Sequence, residues 1–189
     1  TCVVLDFNRI DDAGAVQIAE QLRYNSCLKE LSLNFNEIGD LGGSELGRVL
    51  RFNRTLAILR LKNNFIQNQG VKGLTEGLHG NHSLKLLSLA NNALSDQGVQ
   101  FLSEGLKDNR TLRILDLSHN RIGPDGAAAL SDALAENYAG GLAELDLSRN
   151  RLGDAGASRL AQGLRTNQTV ESLRLRSNRI GYQGASTIV

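Results

Sequence analysis

Residues 28–53 read LKELSLNFNEIGDLGGSELGRVLRFN, and two different periodicities share this stretch. Leu31 and Leu33 alternate with polar residues, the period of a strand with one face turned inward. Leu46 and Leu50 stand four apart, the period of a helix showing one face to a core. Between them lie Asn36 and Gly42. The same frame returns along the chain: Asn8, Asn36, Asn64, Asn92, Asn120, Asn150 and Asn178 are spaced by 28 residues with a single 30-residue step. Self-similarity at this spacing predicts a solenoid of strand, turn, helix and return, in which each unit packs on its neighbours.

Counted from each asparagine, apolar residues stand eight, five and three places before it, as in Leu56, Leu59, Leu61 and Leu84, Leu87, Leu89. Two places after it an Ile or Leu closes the turn. Six places after it comes a glycine in every repeat, from Gly14 to Gly184. That glycine implies either a positive φ or a close approach that a Cβ would block. The i, i+4 stripe recurs at Ile18 and Leu22, Leu74 and Leu78, Leu102 and Leu106, Leu130 and Leu134, and Leu160 and Leu164. A second asparagine series, Asn25, Asn53, Asn81, Asn109, Asn137 and Asn167, follows the helices, where Asn suits the left-handed conformation of a C-cap. Pro124 occupies a first helical turn, its favoured place. A strand-end asparagine carries both donor and acceptor for the unpaired backbone groups of a buried turn, and its loss is expected to cost roughly 1–3 kcal/mol.

In the frame LxxLxLxxNxIxxxGaxxLaxxLxxN, complete from Leu28 to Asn53 and again from Leu112, the chain resembles the ribonuclease-inhibitor subclass of leucine-rich repeat proteins. The resemblance runs along essentially the whole sequence. It implies an α/β leucine-rich repeat solenoid, a horseshoe of about seven repeats with a parallel sheet on the concave face and helices on the convex face. The uniform 28-residue period looks most like the repeat domain of NOD-like receptors; the subclass also includes the Ran GTPase-activating protein and ciliary or cytoskeletal scaffolds. Such a scaffold implies protein binding, names no partner, and carries no expectation of enzymatic activity or of a cofactor.

Composition fits thin layers: 41% of residues are hydrophobic and 4% aromatic, an aliphatic core in a single domain over residues 1–189. The net charge of +1 gives no global pull toward nucleic acid or an anionic membrane, and neither is an expected partner. The charge is polarised, however. Residues 1–40 hold seven acids against three bases, and residues 149–189 hold seven arginines against two acids. No apolar run approaches the roughly 18 residues of a membrane helix. Cys2 and Cys27 fall about three residues out of step on neighbouring repeats, too far apart for a disulfide, which predicts free thiols and a cytoplasmic location. The chain opens with a strand already running and stops inside a helix, so it reads as an excerpt of a longer array, or one whose ends partner chains cover.

Where the repeats disagree, a partner can be chosen. Residues six, four and two places before each asparagine face away from the core and form three columns. The first is Cys2, Glu30, Ile58, Leu86, Ile114, Glu144, Ser172; the second Val4, Ser32, Arg60, Ser88, Asp116, Asp146, Arg174; the third Asp6, Asn34, Lys62, Ala90, Ser118, Ser148, Arg176. At the rim stand Phe7, Phe35, Asn63, Asn91, His119, Arg149 and Ser177. The expected partner-binding residues are Arg60, Lys62, Asp116, His119, Asp146, Arg149, Arg174 and Arg176. Asp116 and Asp146 are expected about 5 Å apart on adjacent strands. They form part of a docking site, a solvated row in which Arg174 balances one aspartate, or an acid/base pair at the separation of a retaining glycosidase; the last needs a concave pocket for a small molecule, and none is expected. Ile58, Leu86 and Ile114 are an apolar trio that a neighbouring loop is expected to cover.

Other signals dissolve into the repeat. Four N-glycosylation sequons, at Asn53, Asn81, Asn109 and Asn167, share one register and read as turn formers. His79 and His82 lack further ligands for a metal. Ser118 and His119 are sequence neighbours at a strand end and point in different directions, so Asp116, Ser118 and His119 make no triad. Tyr138 to Gly141 carry the two extra residues of the long step and are expected to protrude beside the Asp146 strand. Three roles remain open: a recognition module of the NOD-like receptor kind, a GTPase-activating protein and a static scaffold.

Overall fold

The computed structural model describes residues 1–137 and 140–188. Seven three-residue strands alternate with seven helices: β1 Cys2–Val4, α1 Asp12–Tyr24, β2 Glu30–Ser32, α2 Asp40–Leu50, β3 Ile58–Arg60, α3 Asn68–Leu78, β4 Leu86–Ser88, α4 Asp96–Asp108, β5 Ile114–Asp116, α5 Pro124–Glu136, β6 Glu144–Asp146, α6 Gly153–Leu164, β7 Ser172–Arg174 and α7 Tyr182–Ile188. The strands form one parallel sheet in sequence order, and each residue pairs with its counterpart one repeat on, as in Leu59 with Leu87. The sheet lines one side of the solenoid and the helices the other. Between them lies a continuous aliphatic core in which Leu31, Leu59, Leu87, Leu115 and Leu145 are buried with the helix leucines Leu46, Leu74, Leu102, Leu130 and Leu160.

The asparagine ladder stitches neighbouring repeats. Asn64 Nδ2 donates to Leu61 O at 3.1 Å within its own repeat and to Leu33 O at 2.9 Å in the preceding one. Its Oδ1 accepts the Ile38 N–H at 3.1 Å. Strand-end carbonyls are shared: Leu61 O also accepts from Asn92.

The second asparagine series differs from the expected left-handed cap, since Asn25 and Asn109 have φ of -77° and -76°. It forms a second ladder. Asn53 Oδ1 accepts the N–H groups of Thr55 and Leu56 at 2.9 and 2.8 Å, closing an Asx turn, while its Nδ2 donates to Leu22 O at 2.8 Å. Asn53, Asn81 and Asn109 are buried with their amides committed to backbone. The folded sequons therefore present no free amide there.

Left-handed backbone occurs instead at the rim. Phe7, Phe35, Asn63, Asn91, His119, Arg149 and Ser177 all have φ between 48° and 59°, where a non-glycine residue is strained by roughly 1–2 kcal/mol. The repeat glycine resolves to close approach. A Cβ on Gly42 would lie 2.7 Å from Ala15 Cβ and 2.9 Å from Asp12 Oδ1.

Asp12 occupies that space because it caps the next helix. Its Oδ1 accepts the N–H groups of Gly39 and Gly42, both at 2.8 Å. Asp40 does the same for Gln67 and Gly70, and Asp154 for Gly181 and Gly184. A carboxylate at a helix N-terminus meets unpaired donors and the positive end of the dipole. Pro124 stands in this register at the first position of α5, so the cap is absent at the next repeat, where Gly153 adopts φ 58°.

Of the insertion, Gly140 and Gly141 fold back rather than protrude: Gly141 is buried, and Gly141 O accepts from Arg113 Nη1 at 3.0 Å. Tyr138 and Ala139 lie outside the described residues. Among the described residues one buried hydroxyl, Ser103 Oγ, has no hydrogen-bond partner. Ser103→Ala is therefore expected to raise stability by about 1 kcal/mol, measured as a shift in the urea unfolding midpoint; a loss of stability would show that the hydroxyl is satisfied.

Candidate protein-binding surface

The three outward columns form the concave surface, and an open trough of about 260 Å³ crosses it. Five of the expected site residues line it: Arg60, Lys62, Asp116, Asp146 and Arg174. His119, Arg149 and Arg176 lie outside it and are exposed. Leu86 and Ile114 contribute apolar lining and are half-buried, so the neighbouring loop covers them only in part. The trough is partly open to solvent, in contrast to the enclosed pocket of a typical small-molecule site.

Asp116 and Asp146 are register partners on β5 and β6. Asp116 accepts the Ser118 N–H at 3.0 Å and the Ser88 hydroxyl at 3.1 Å; Asp146 accepts the Ser148 N–H at 2.8 Å. Arg174 does not balance an aspartate. It pairs with Glu144, Nη2 to Oε2 at 3.3 Å, and Arg60 pairs in the same diagonal sense with Glu30. A guanidinium in the second column reaches the first-column carboxylate of the preceding strand because long side chains span the diagonal. These pairs are half-exposed and add little stability; they hold the two arginines at opposite ends of the trough. Among the described residues both aspartates remain without an ion-pair partner.

Toward the amino-terminal end, a polar relay descends the third column. Asp6 accepts from Ser32 Oγ at 2.6 Å, from the Asn34 N–H at 2.9 Å and from Asn34 Nδ2 at 3.0 Å. Asn34 Oδ1 then accepts the Lys62 N–H at 2.9 Å. Burial pushes the Asp6 carboxyl up, but the hydrogen bonds from Ser32 and Asn34, with the Arg60 charge, outweigh it and leave the pKa below 3.8. A depressed folded-state pKa adds stability above the unfolded value and loses it as pH falls through the folded one. Asp6→Asn is expected to destabilise the protein near neutrality and to lose that penalty below pH 3.8, read from urea midpoints across pH; a pH-independent penalty would remove the charge from the account.

At the rim beside this relay, Phe7 and Phe35 stack, with ring centroids 4.2 Å apart and planes at 12°. Both are exposed, and Lys62 Nζ lies 6.0 Å from the Phe35 centroid. Farther along, Asn91 Nδ2 donates to Asn63 Oδ1. The rim thus carries stacked aromatics at one end, an asparagine pair in the middle, and His119, Arg149 and Ser177 toward the other.

Residues 24–47, 80–103, 108–131, 142–161 and 166–189, together more than half of the chain, match the family model described as Leucine Rich repeat. The chain belongs to the leucine-rich repeat family. No curated protein sequence matches it. Among solved structures, leiomodin-1 actin-binding site 2 is similar at TM-score 0.58 and 21% identity, covering 72% of this chain and 80% of that one. An internalin from Listeria monocytogenes is similar at TM-score 0.56 and 20% identity, covering 99% of this chain and 51% of that one. The chain thus spans about half the internalin's length. At these identities the likeness is one of fold. Within the leucine-rich repeat framework, the ladder and capping residues belong to architecture, and the outward columns and rim are the variable surface.

Proposed function

We propose that the chain is a protein-binding module whose contact surface is the concave sheet and its rim. The trough carries this reading: over an aliphatic floor, bases at its two ends flank a central group of carboxylates, and among the described residues Asp116 and Asp146 there have no ion-pair partner. Shape of this kind suits a protrusion of a partner protein, and a standard interface of about 1,200–2,000 Å² fits across several repeats. The similar leiomodin-1 fragment is itself an actin-binding site, which supports binding as the use of such a surface. The uniform period and the intact ladder favour an array of the ribonuclease-inhibitor type, with the sensing or regulatory role of a NOD-like receptor repeat domain. The free thiols Cys2 and Cys27 accord with work in a reducing, cytoplasmic setting.

The immobilised chain, the double reversal Asp116→Arg with Arg174→Glu, and the convex control Arg165→Glu test the reading in parallel affinity capture. A partner held by the chain and the control but lost from the double reversal is the expected result. Retention by the double reversal would remove the concave face from the interface.

A further inference from the structure

We propose that the strand-to-helix edge of the last three repeats binds an extended acidic segment of a protein partner, beside the trough and separate from it. The proposal rests on the protein-binding reading and adds to it a second contact and the chemistry of its ligand.

Arg121, Arg151 and Arg179 each follow the ladder asparagine by one residue, while Arg149 and Arg176 precede it by one and two. The turns that carry them are joined by backbone bonds: Arg151 N–H donates to Ile122 O, and Arg149 N–H to Arg176 O, both at 2.7 Å. Successive guanidinium groups therefore emerge side by side, one row per repeat, about 5 Å apart at the sheet. All five arginines are exposed, and among the described residues none takes part in an ion pair.

The acids nearby offer little neutralisation. Asp146 faces the trough. Asp154 Oδ1 is engaged by the Gly181 and Gly184 N–H groups. Asp125 is exposed in the first turn of α5 and leaves the edge strongly positive. At the other end of the solenoid the same register reads Arg9, Glu37 and Phe65, so the basic row is local to repeats five to seven.

Residue choice selects the ligand. No lysine follows Lys107, so the permanent cations there are all arginines, and the planar guanidinium fork binds carboxylates in a bidentate way that lysine cannot. An extended peptide carries like-facing side chains about 7 Å apart, within reach of long arginine side chains rooted about 5 Å apart. An acidic residue at every second position is the pattern that fits. A lipid surface fits less well, because the exposed large hydrophobics lie at residues 3–65 apart from Tyr182, and a membrane site sets apolar residues beside its bases. Single-stranded nucleic acid uses a run of stacking platforms, and Tyr182 alone does not supply one.

Fluorescence anisotropy tests this with a labelled peptide bearing Glu at alternate positions, a Gln-substituted control peptide, an oligo-dT strand and phosphatidylserine vesicles, each titrated with the full chain. The expected result is saturable binding of the acidic peptide alone, weakened about tenfold or more by Arg121→Gln with Arg151→Gln and by added salt, and unchanged by Asp116→Arg with Arg174→Glu. No binding, equal binding of the Gln peptide, or tighter binding of the oligonucleotide or vesicles would overturn it. So would peptide binding lost with the trough variant and kept by the edge variant, a result that leaves the concave reading standing. Circular dichroism of each variant confirms that loss of binding is not loss of fold.

Discussion

Gly77→Ala is expected to destabilise the protein by about 2–3 kcal/mol, in spite of the roughly 1 kcal/mol that alanine gains over glycine inside a helix. A Cβ at Gly77 would sit inside the van der Waals envelope of the Gly47 carbonyl oxygen, and one at Gly47 would meet the Leu74 backbone. Helices α2 and α3 touch backbone to backbone here, so no side chain can rotate away to make room. The added methyl group must separate the helices, and the leucine layers beneath them lose contact. Urea unfolding reads the effect, with Gly80→Ala as control, since a Cβ there meets only Arg51 Cγ at an ordinary 3.7 Å. Because repeats contact only neighbours, the loss should also broaden the transition as the first two repeats uncouple from the rest. Equal midpoints for the two variants would mean that α2 and α3 part without penalty.

The second large effect is expected from the strand-end ladder. Asn64→Ala removes the acceptor for the Ile38 N–H, a donor on a fully buried residue. The carbonyls are better protected, because Leu33 O and Leu61 O each keep a second asparagine, Asn36 and Asn92. The penalty therefore concentrates on one orphaned amide and its neighbours, about 2–3 kcal/mol. Accelerated hydrogen exchange at the Ile38 amide would locate it. Asn8→Ala, whose side chain is exposed and donates only to Leu5 O and Asp6 O, should change stability far less; a similar loss at both sites would sink this account of the ladder.

Register and ladder were legible in the sequence because both depend on spacing: the 28-residue period pairs Leu59 with Leu87, and strict recurrence marks Asn64 as architecture. The helix caps were harder to see. Asp12, Asp40 and Asp154 bond to groups 27 to 30 residues on, and Pro124 interrupts their series. The rim conformation gave only a partial sign, since Asn63, Asn91 and His119 are of types that favour a left-handed backbone while Phe7, Phe35 and Arg149 are not. Columns predicted the neighbours of Arg174 correctly, but column geometry treats side chains as short. A guanidinium reaches two residues back along the adjacent strand, which is why Glu144 and not Asp146 is its partner.

The left-handed rim has a consequence for how such an array changes over generations. Seven successive turns impose one backbone demand on Phe, Asn, His, Arg and Ser alike. The strain arises between Cβ and the main chain, so unbranched side chains meet it to a similar degree, Asn and His somewhat less and β-branched residues more. Exchanging one unbranched residue for another leaves foldability almost untouched while altering what the surface offers. Specificity can therefore drift at these positions by single substitutions, each intermediate remaining folded, and the scaffold is evolvable where its backbone is least relaxed.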